Sequence, residues 1–81
     1  MNLPRDLSGH ELAKLLRRYG YEPTRQTGSH IRLTSIYCGT EHHITLPAHD
    51  VLRVGTLSAI LAAVAAYLEL DRSQLEQELF E

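Results

Sequence analysis

The spacing of apolar residues changes period twice along this chain of 81 residues, and that change limits the folds open to it. Over residues 7–19 apolar side chains recur every three or four positions, the repeat of an amphipathic helix. Over residues 21–47 the repeat becomes two, as in strands that bury one face. After Gly55 the helical repeat returns. A chain patterned this way is expected to stack its helices on one face of a three-stranded antiparallel sheet.

Local signals mark the boundaries. Ser8 and Glu11 have the spacing of a capping box, with Leu7 and Leu12 at the positions of a hydrophobic staple. Leu12, Leu15, Leu16 and Tyr19 form the apolar stripe, and Gly20 is the stop. Residues 21–27 read as a first strand, edge-lying or irregular because of Pro23. Residues 29–34 and 42–46 read as the second and third, joined by a turn over residues 35–40 that contains Gly39. Pro47 ends the sheet, and Ala48-His49-Asp50 leads to a helix opened by Gly55-Thr56, with Thr56 as its N-cap. Leu57, Ile60, Leu61, Val64 and Leu68 are its buried stripe. Asp71 and Gln74 suggest a second capping box, starting a short last helix with Leu75, Leu79 and Phe80. The expected fold is a small α+β sandwich of order α-β-β-β-α(-α). One domain spans residues 1–81, and residues 71–81 form its C-terminal helix.

Size and composition narrow the setting. A core drawn from so few residues has little stability to spare, which favours docking onto a partner or dimerisation. The lone Cys38 excludes an internal disulfide and fits a reducing compartment. Residues 1–6 contain no apolar signal core, and the apolar run over residues 57–68 is too short to span a bilayer. A cytoplasmic protein without membrane contact is expected. Residues 1–53 carry seven Lys and Arg against five acids, whereas Arg72 stands alone against five acids in residues 54–81. That asymmetry reads either as a basic working face with an acidic tail or as two solvated surfaces.

The chemistry concentrates around Gly28-Ser29-His30. Strict alternation sends Ile31, Leu33, Ile44 and Leu46 inward and His30, Arg32, Thr34, His43 and Thr45 outward. If the second and third strands pair as a hairpin, His30, Arg32, His43 and Thr45 share one open face. Histidine suits proton transfer near neutral pH. The competing reading of His30 is an exposed strand histidine without a task. Gly28 serves either a turn or the close approach of a ligand. Ser29 offers a hydroxyl to phosphate or only begins the strand. His49 could act as a second acid or base, as a phosphate contact, or through a structural hydrogen bond in its loop. His10, in the first turn of a helix, is given no role. Lys14, Arg17, Arg18, Arg25 and Arg32 are candidates for phosphate contact, each equally readable as solvated surface. A metal site from His30, His42, His43, His49 and Cys38 is disfavoured, because His42 and His43 point to opposite faces and no Cys-x-x-Cys or His-x-x-x-His spacing occurs. No cofactor is expected.

Four segments then occur in a telling order. They are Ser8-Gly9-His10-Glu11-Leu12 with Leu15-Leu16 and Gly20-Tyr21; Arg25-Gln26-Thr27-Gly28-Ser29-His30; Thr45-Leu46-Pro47-Ala48-His49; and Gly55-Thr56-Leu57-Ser58-Ala59-Ile60-Leu61. In that order and spacing the chain resembles the HicA (YcfA-like) toxins, the messenger-RNA-cleaving half of toxin–antitoxin pairs. The likeness runs from about residue 7 to residue 61, and residues 70–80 resemble the family's last helix. The resemblance implies a fold like that of double-stranded-RNA-binding domains and metal-independent endoribonuclease activity on mRNA. It also implies an essential histidine at the position of His30, and a HicB-type antitoxin whose N-terminal domain covers the active face. A homodimer or a hetero-oligomer with the antitoxin fits the small core. The chain departs from the family in its net charge of −2, where members are usually basic, and in its relatively long acidic tail. The alternative from another class is a non-catalytic RNA-binding or protein-interaction module of the same fold.

Overall fold

The computed structural model describes residues 3–81; Met1 and Asn2, the start of the stretch read above as lacking a signal core, lie outside the described residues. Helix α1 (Gly9–Leu16) runs through a tight turn at Arg17–Tyr19 into strand β1 (Glu22–Thr27). Strands β2 (His30–Ser35) and β3 (His42–Pro47) follow, then helices α2 (Val54–Leu68) and α3 (Arg72–Phe80). The expected α+β order is present.

The first helix starts as its sequence dictates. Ser8 Oγ accepts the Glu11 N–H at 3.2 Å, and Glu11 Oε1 accepts the Ser8 N–H at 2.8 Å, which closes the capping box. Gly20 ends the following turn at φ 79°, a left-handed conformation that glycine adopts without penalty. The later caps differ from expectation. Arg53, not Thr56, stands at the N-cap of α2, and Thr56 lies inside the helix. The cause is tertiary: Leu52 N–H donates to Leu7 O at 2.8 Å, so the chain leaves that anchor and turns helical at once. Asp71 does cap α3, but its side chain bonds no backbone amide, and Gln74 reaches forward to Glu78 instead of back.

The sheet has the order β1-β2-β3, antiparallel throughout. Ile31 and Leu33 of β2 face inward, opposite Leu46 and Ile44 of β3. These join Leu12 and Leu16 of α1, Leu57, Ile60, Leu61 and Val64 of α2, and Leu75 and Leu79 of α3 in one apolar cluster. All the helices therefore cover the same face, and the molecule is a slab of 32 × 31 × 17 Å. The opposite face of the sheet is bare.

Strand β2 extends one residue further than expected, to Ser35, which the sequence reading assigned to a turn. Ser35 is buried because its hydroxyl donates to Tyr19 O at 2.7 Å and accepts the Tyr37 N–H at 3.1 Å. The loop beyond it is fastened from across the molecule. Tyr67 of α2 donates its hydroxyl to Thr40 O at 2.6 Å and accepts the Cys38 N–H at 2.9 Å. No single helix among the described residues is long and apolar enough to cross a membrane.

His42 lies against this fastening, on the opposite side of β3 from His43. Its ring stacks on Tyr67 with centroids 4.8 Å apart, and Tyr21 Oη lies 2.7 Å from its Nδ1. Burial pushes the Tyr21 phenol well above its ordinary value, so the tyrosine keeps its proton beside the His42 ring. Burial, and then the charge of His43, hold His42 below the usual imidazole value of 6.5. Between its lowered pKa and 6.5 the unfolded chain binds more protons at this residue than the folded one, so stability rises with pH. The expected result is a melting temperature that falls as the pH drops below about 6.5. The variant His42→Phe, which keeps a ring against Tyr67, should flatten that fall. An unchanged slope in the variant would assign the pH dependence elsewhere.

Candidate active site on the bare sheet face

A two-residue turn sets the position of the central histidine. Thr27 and His30 are cross-strand partners, and Gly28-Ser29 bridges them. Gly28 has φ 57°, whereas Ser29 is not left-handed, the pattern of a type II′ hairpin turn with glycine first. A Cβ on Gly28 would meet nothing within 4 Å, so the torsion demands glycine here and the space above it stays open.

From that turn the pleat does the rest. Ile31 and Leu33 point into the core, and His30, Arg32 and Thr34 point to the bare face. The register pairs Arg32 with Thr45 and Thr34 with His43, so His30, Arg32, His43 and Thr45 do share the open face expected from alternation. On the other side of β2, Arg25 stands opposite Arg32. Arg25, Thr27, His30, Arg32 and Thr45 line a shallow depression of about 240 Å³. Among the described residues no carboxylate and no carbocyclic aromatic ring lines it. His30 is exposed at the beginning of the central strand, with cationic side chains beside it.

The other candidates are distributed around this centre. His43 is on the same face but four positions along the ladder from His30, roughly 13 Å at strand spacing. It is engaged there, with Nδ1 2.8 Å from Thr34 Oγ1 and Nε2 3.2 Å from Glu41 Oε1. His49 lies at the same end of the sheet as His30, because Ala48 N–H donates to Ser29 O at 2.7 Å. Its ring meets His10, with centroids 4.9 Å apart, and does not line the depression. Ser29 is exposed and holds that end through its backbone carbonyl.

Among the helical cations, Lys14 and Arg17 are exposed on the layer that covers the other face. Arg18 is occupied: its guanidinium donates to Glu78 O and lies 5.6 Å from the Tyr19 ring centroid. Tyr19 donates to the Glu78 carboxylate, and burial followed by that bond raises its phenol to about 12. The Arg18–Tyr19–Glu78 cluster thus docks α3 onto the end of α1. Among the described residues no three His, Cys, Asp or Glu side chains converge as a metal site would need.

Two features went unread in the sequence. Thr27 enters the lining because a two-residue turn must place it opposite His30, a signal that was available in Gly28-Ser29. His10 meets His49 only through tertiary contact, with His10 N–H donating to Ala48 O at 2.9 Å.

An exposed imidazole flanked by guanidiniums, without an acid nearby, suits proton transfer on an anionic substrate. Comparison with family models matches residues 9–65 to one described as the HicA toxin of bacterial toxin-antitoxin. Neither the curated proteins nor the solved structures contain a match to the chain.

Proposed function

Since the chain belongs to the HicA toxin family, we propose that it is an endoribonuclease that cleaves mRNA without a metal ion, using His30 as general base or general acid. The observation that carries this reading is the place of His30. It is exposed on the central strand, at a depression it shares with Arg25 and Arg32, on the face that no helix covers.

In such a cleavage a ribose 2′-hydroxyl loses its proton as its oxygen bonds to phosphorus. The bond from phosphorus to the 5′-oxygen breaks, and that oxygen takes up a proton. The products are a 2′,3′-cyclic phosphate and a 5′-hydroxyl. One positioned histidine serves either proton transfer and contributes about 10²- to 10⁴-fold. Arg25 and Arg32 attract the phosphate backbone at the site, and Lys14 and Arg17 do so at a distance. Arg18 holds α3, His43 is engaged by Thr34 and Glu41, and His49 supports the end of the sheet with His10.

Residues 1–81 work as one domain whose architecture is similar to that of double-stranded-RNA-binding domains, which read RNA by shape and backbone. The protein acts in the cytoplasm and needs no cofactor. A HicB-type antitoxin silences it by laying its N-terminal domain over the bare sheet face, forming a hetero-oligomer. The test is RNA in which single 2′-hydroxyls are replaced by hydrogen, incubated with the purified protein and a chelator. Cleavage is expected to persist in chelator and to stop wherever the hydroxyl is missing. Cleavage at a deoxy position would overturn the reading, and RNA retained uncut throughout would make the chain a binding module.

A further inference from the structure

Arg25 and Arg32 are direct partners across β1 and β2, and both line the depression that His30 borders. Facing residues on neighbouring strands have Cβ atoms about 5 Å apart, and like charges placed there weaken the sheet. Nothing nearby relieves the repulsion. Among the described residues neither guanidinium forms an ion pair or a side-chain hydrogen bond. Glu22, the one carboxylate of the β1–β2 hairpin, sits opposite Thr34, and Glu41 is engaged by His43.

The backbone goes out of its way to create this pair. The register shifts between Pro23 and Arg25, so Thr24 is an extra residue in β1. In a regular strand Pro23 and Arg25 would share a face. The bulge leaves Pro23 opposite the inward Leu33 and turns Arg25 to the face of Arg32. Thr24 is held in place by its hydroxyl, 2.8 Å from Thr34 Oγ1. The bulge therefore leaves two cations side by side at the depression, with no anion paired to either among the described residues.

We propose that Arg25 and Arg32 form a phosphate clamp, charged in advance, that seats the scissile phosphodiester beside His30. Each guanidinium takes one non-bridging oxygen, a planar donor geometry that matches phosphate. The clamp rests on the ribonuclease reading only for the identity of the anion as an RNA linkage. Binding of a simple phosphate and the cost of the empty pair stand apart from it.

Inorganic phosphate in low-salt buffer is the probe. Saturating phosphate is expected to raise the melting temperature of the wild-type protein by about 4 °C. Arg25→Gln and Arg32→Gln should each melt about 2 °C above wild type without phosphate, since each removes the repulsion. That gain should disappear in high salt, where the repulsion is screened. Both variants should lose the phosphate shift and about 100-fold in kcat/KM for RNA, with the double variant falling little further because the pair acts as a unit.

A full phosphate shift in the double variant, or single variants that melt below wild type at low salt, would overturn the clamp. His30→Ala separates it from the acid–base assignment. Loss of cleavage with a retained phosphate shift supports the clamp. A wild-type cleavage rate in His30→Ala, with a shift that still follows the arginines, removes the assignment to His30 and leaves the clamp standing. No phosphate shift in the wild type, with cleavage that depends on His30, removes the clamp alone.

Discussion

Replacing His30 by alanine is expected to slow RNA cleavage by about 10²- to 10⁴-fold, the contribution of one positioned proton-transfer group. The melting temperature should stay close to that of wild type. His30 is exposed and its side chain makes no hydrogen bond among the described residues, so its loss opens no cavity and orphans no partner. Surface substitutions of that kind stay within about 0.5 kcal/mol. The chemical role has its own signature. Free imidazole in the buffer should restore part of the rate to His30→Ala, because the missing group is a diffusible acid–base. The same substitution should relieve growth arrest in cells that express the protein. An alanine variant that cuts RNA as fast as wild type would remove His30 from the chemistry.

The second large effect concerns stability. Gly9→Ala is expected to cost about 3–5 kcal/mol, beyond the ordinary range for one added methyl group. A Cβ at Gly9 would lie 1.6 Å from Pro47 O and 2.7 Å from Pro47 C, with Leu46 Cδ1 at 2.9 Å. The nearest obstacle is backbone, and that backbone cannot step aside. Ala48, the next residue, donates to Ser29 O and accepts from His10 N–H, which ties the strand end to the turn and to the helix. Either α1 lifts from the sheet, pulling Leu12 and Leu16 from the core, or the end of β3 moves and drags the Gly28-Ser29 turn. Total stability for a chain of this size is about 4–12 kcal/mol, so the substitution removes at least about a quarter of it. Gly55→Ala is the matched control. Gly55 lies in α2, and a Cβ there meets nothing within 4 Å. That substitution should gain about 0.5 kcal/mol from helix propensity. Chemical denaturation of the two variants checks both, and equal midpoints would show that Gly9 is not a contact point.

These contrasts also show which parts of the molecule were legible in the residues alone. The bare face with His30, Arg32, His43 and Thr45 follows from period-two alternation and from one assumption, the pairing of β2 with β3, which the register bears out. The capping box at Ser8 and Glu11 was legible because all its atoms lie within four residues. What escaped depends on partners far along the chain. Ser35 looked like a turn residue because its reason to be buried is the carbonyl of Tyr19. Thr56 looked like a cap because the bond from Leu52 to Leu7 that starts α2 earlier is invisible locally. Arg18 looked like any surface cation, yet its partner Glu78 is sixty residues away. Arg25 shows the same limit at the site: its place opposite Arg32 depends on a bulge that Pro23 only hinted at.

The middle position of β2 has a dynamic consequence. Its backbone is bonded along both sides, whereas β1 and β3 each keep one free edge. Thermal fraying begins at such edges, and amides of a central strand exchange with solvent only when the whole body opens. His30 is therefore mounted on the strand that is bonded along both edges, while Arg25 rides an edge strand. In the proposed cleavage, a load on that outer arm falls first on an edge strand and only then on the central strand that carries His30.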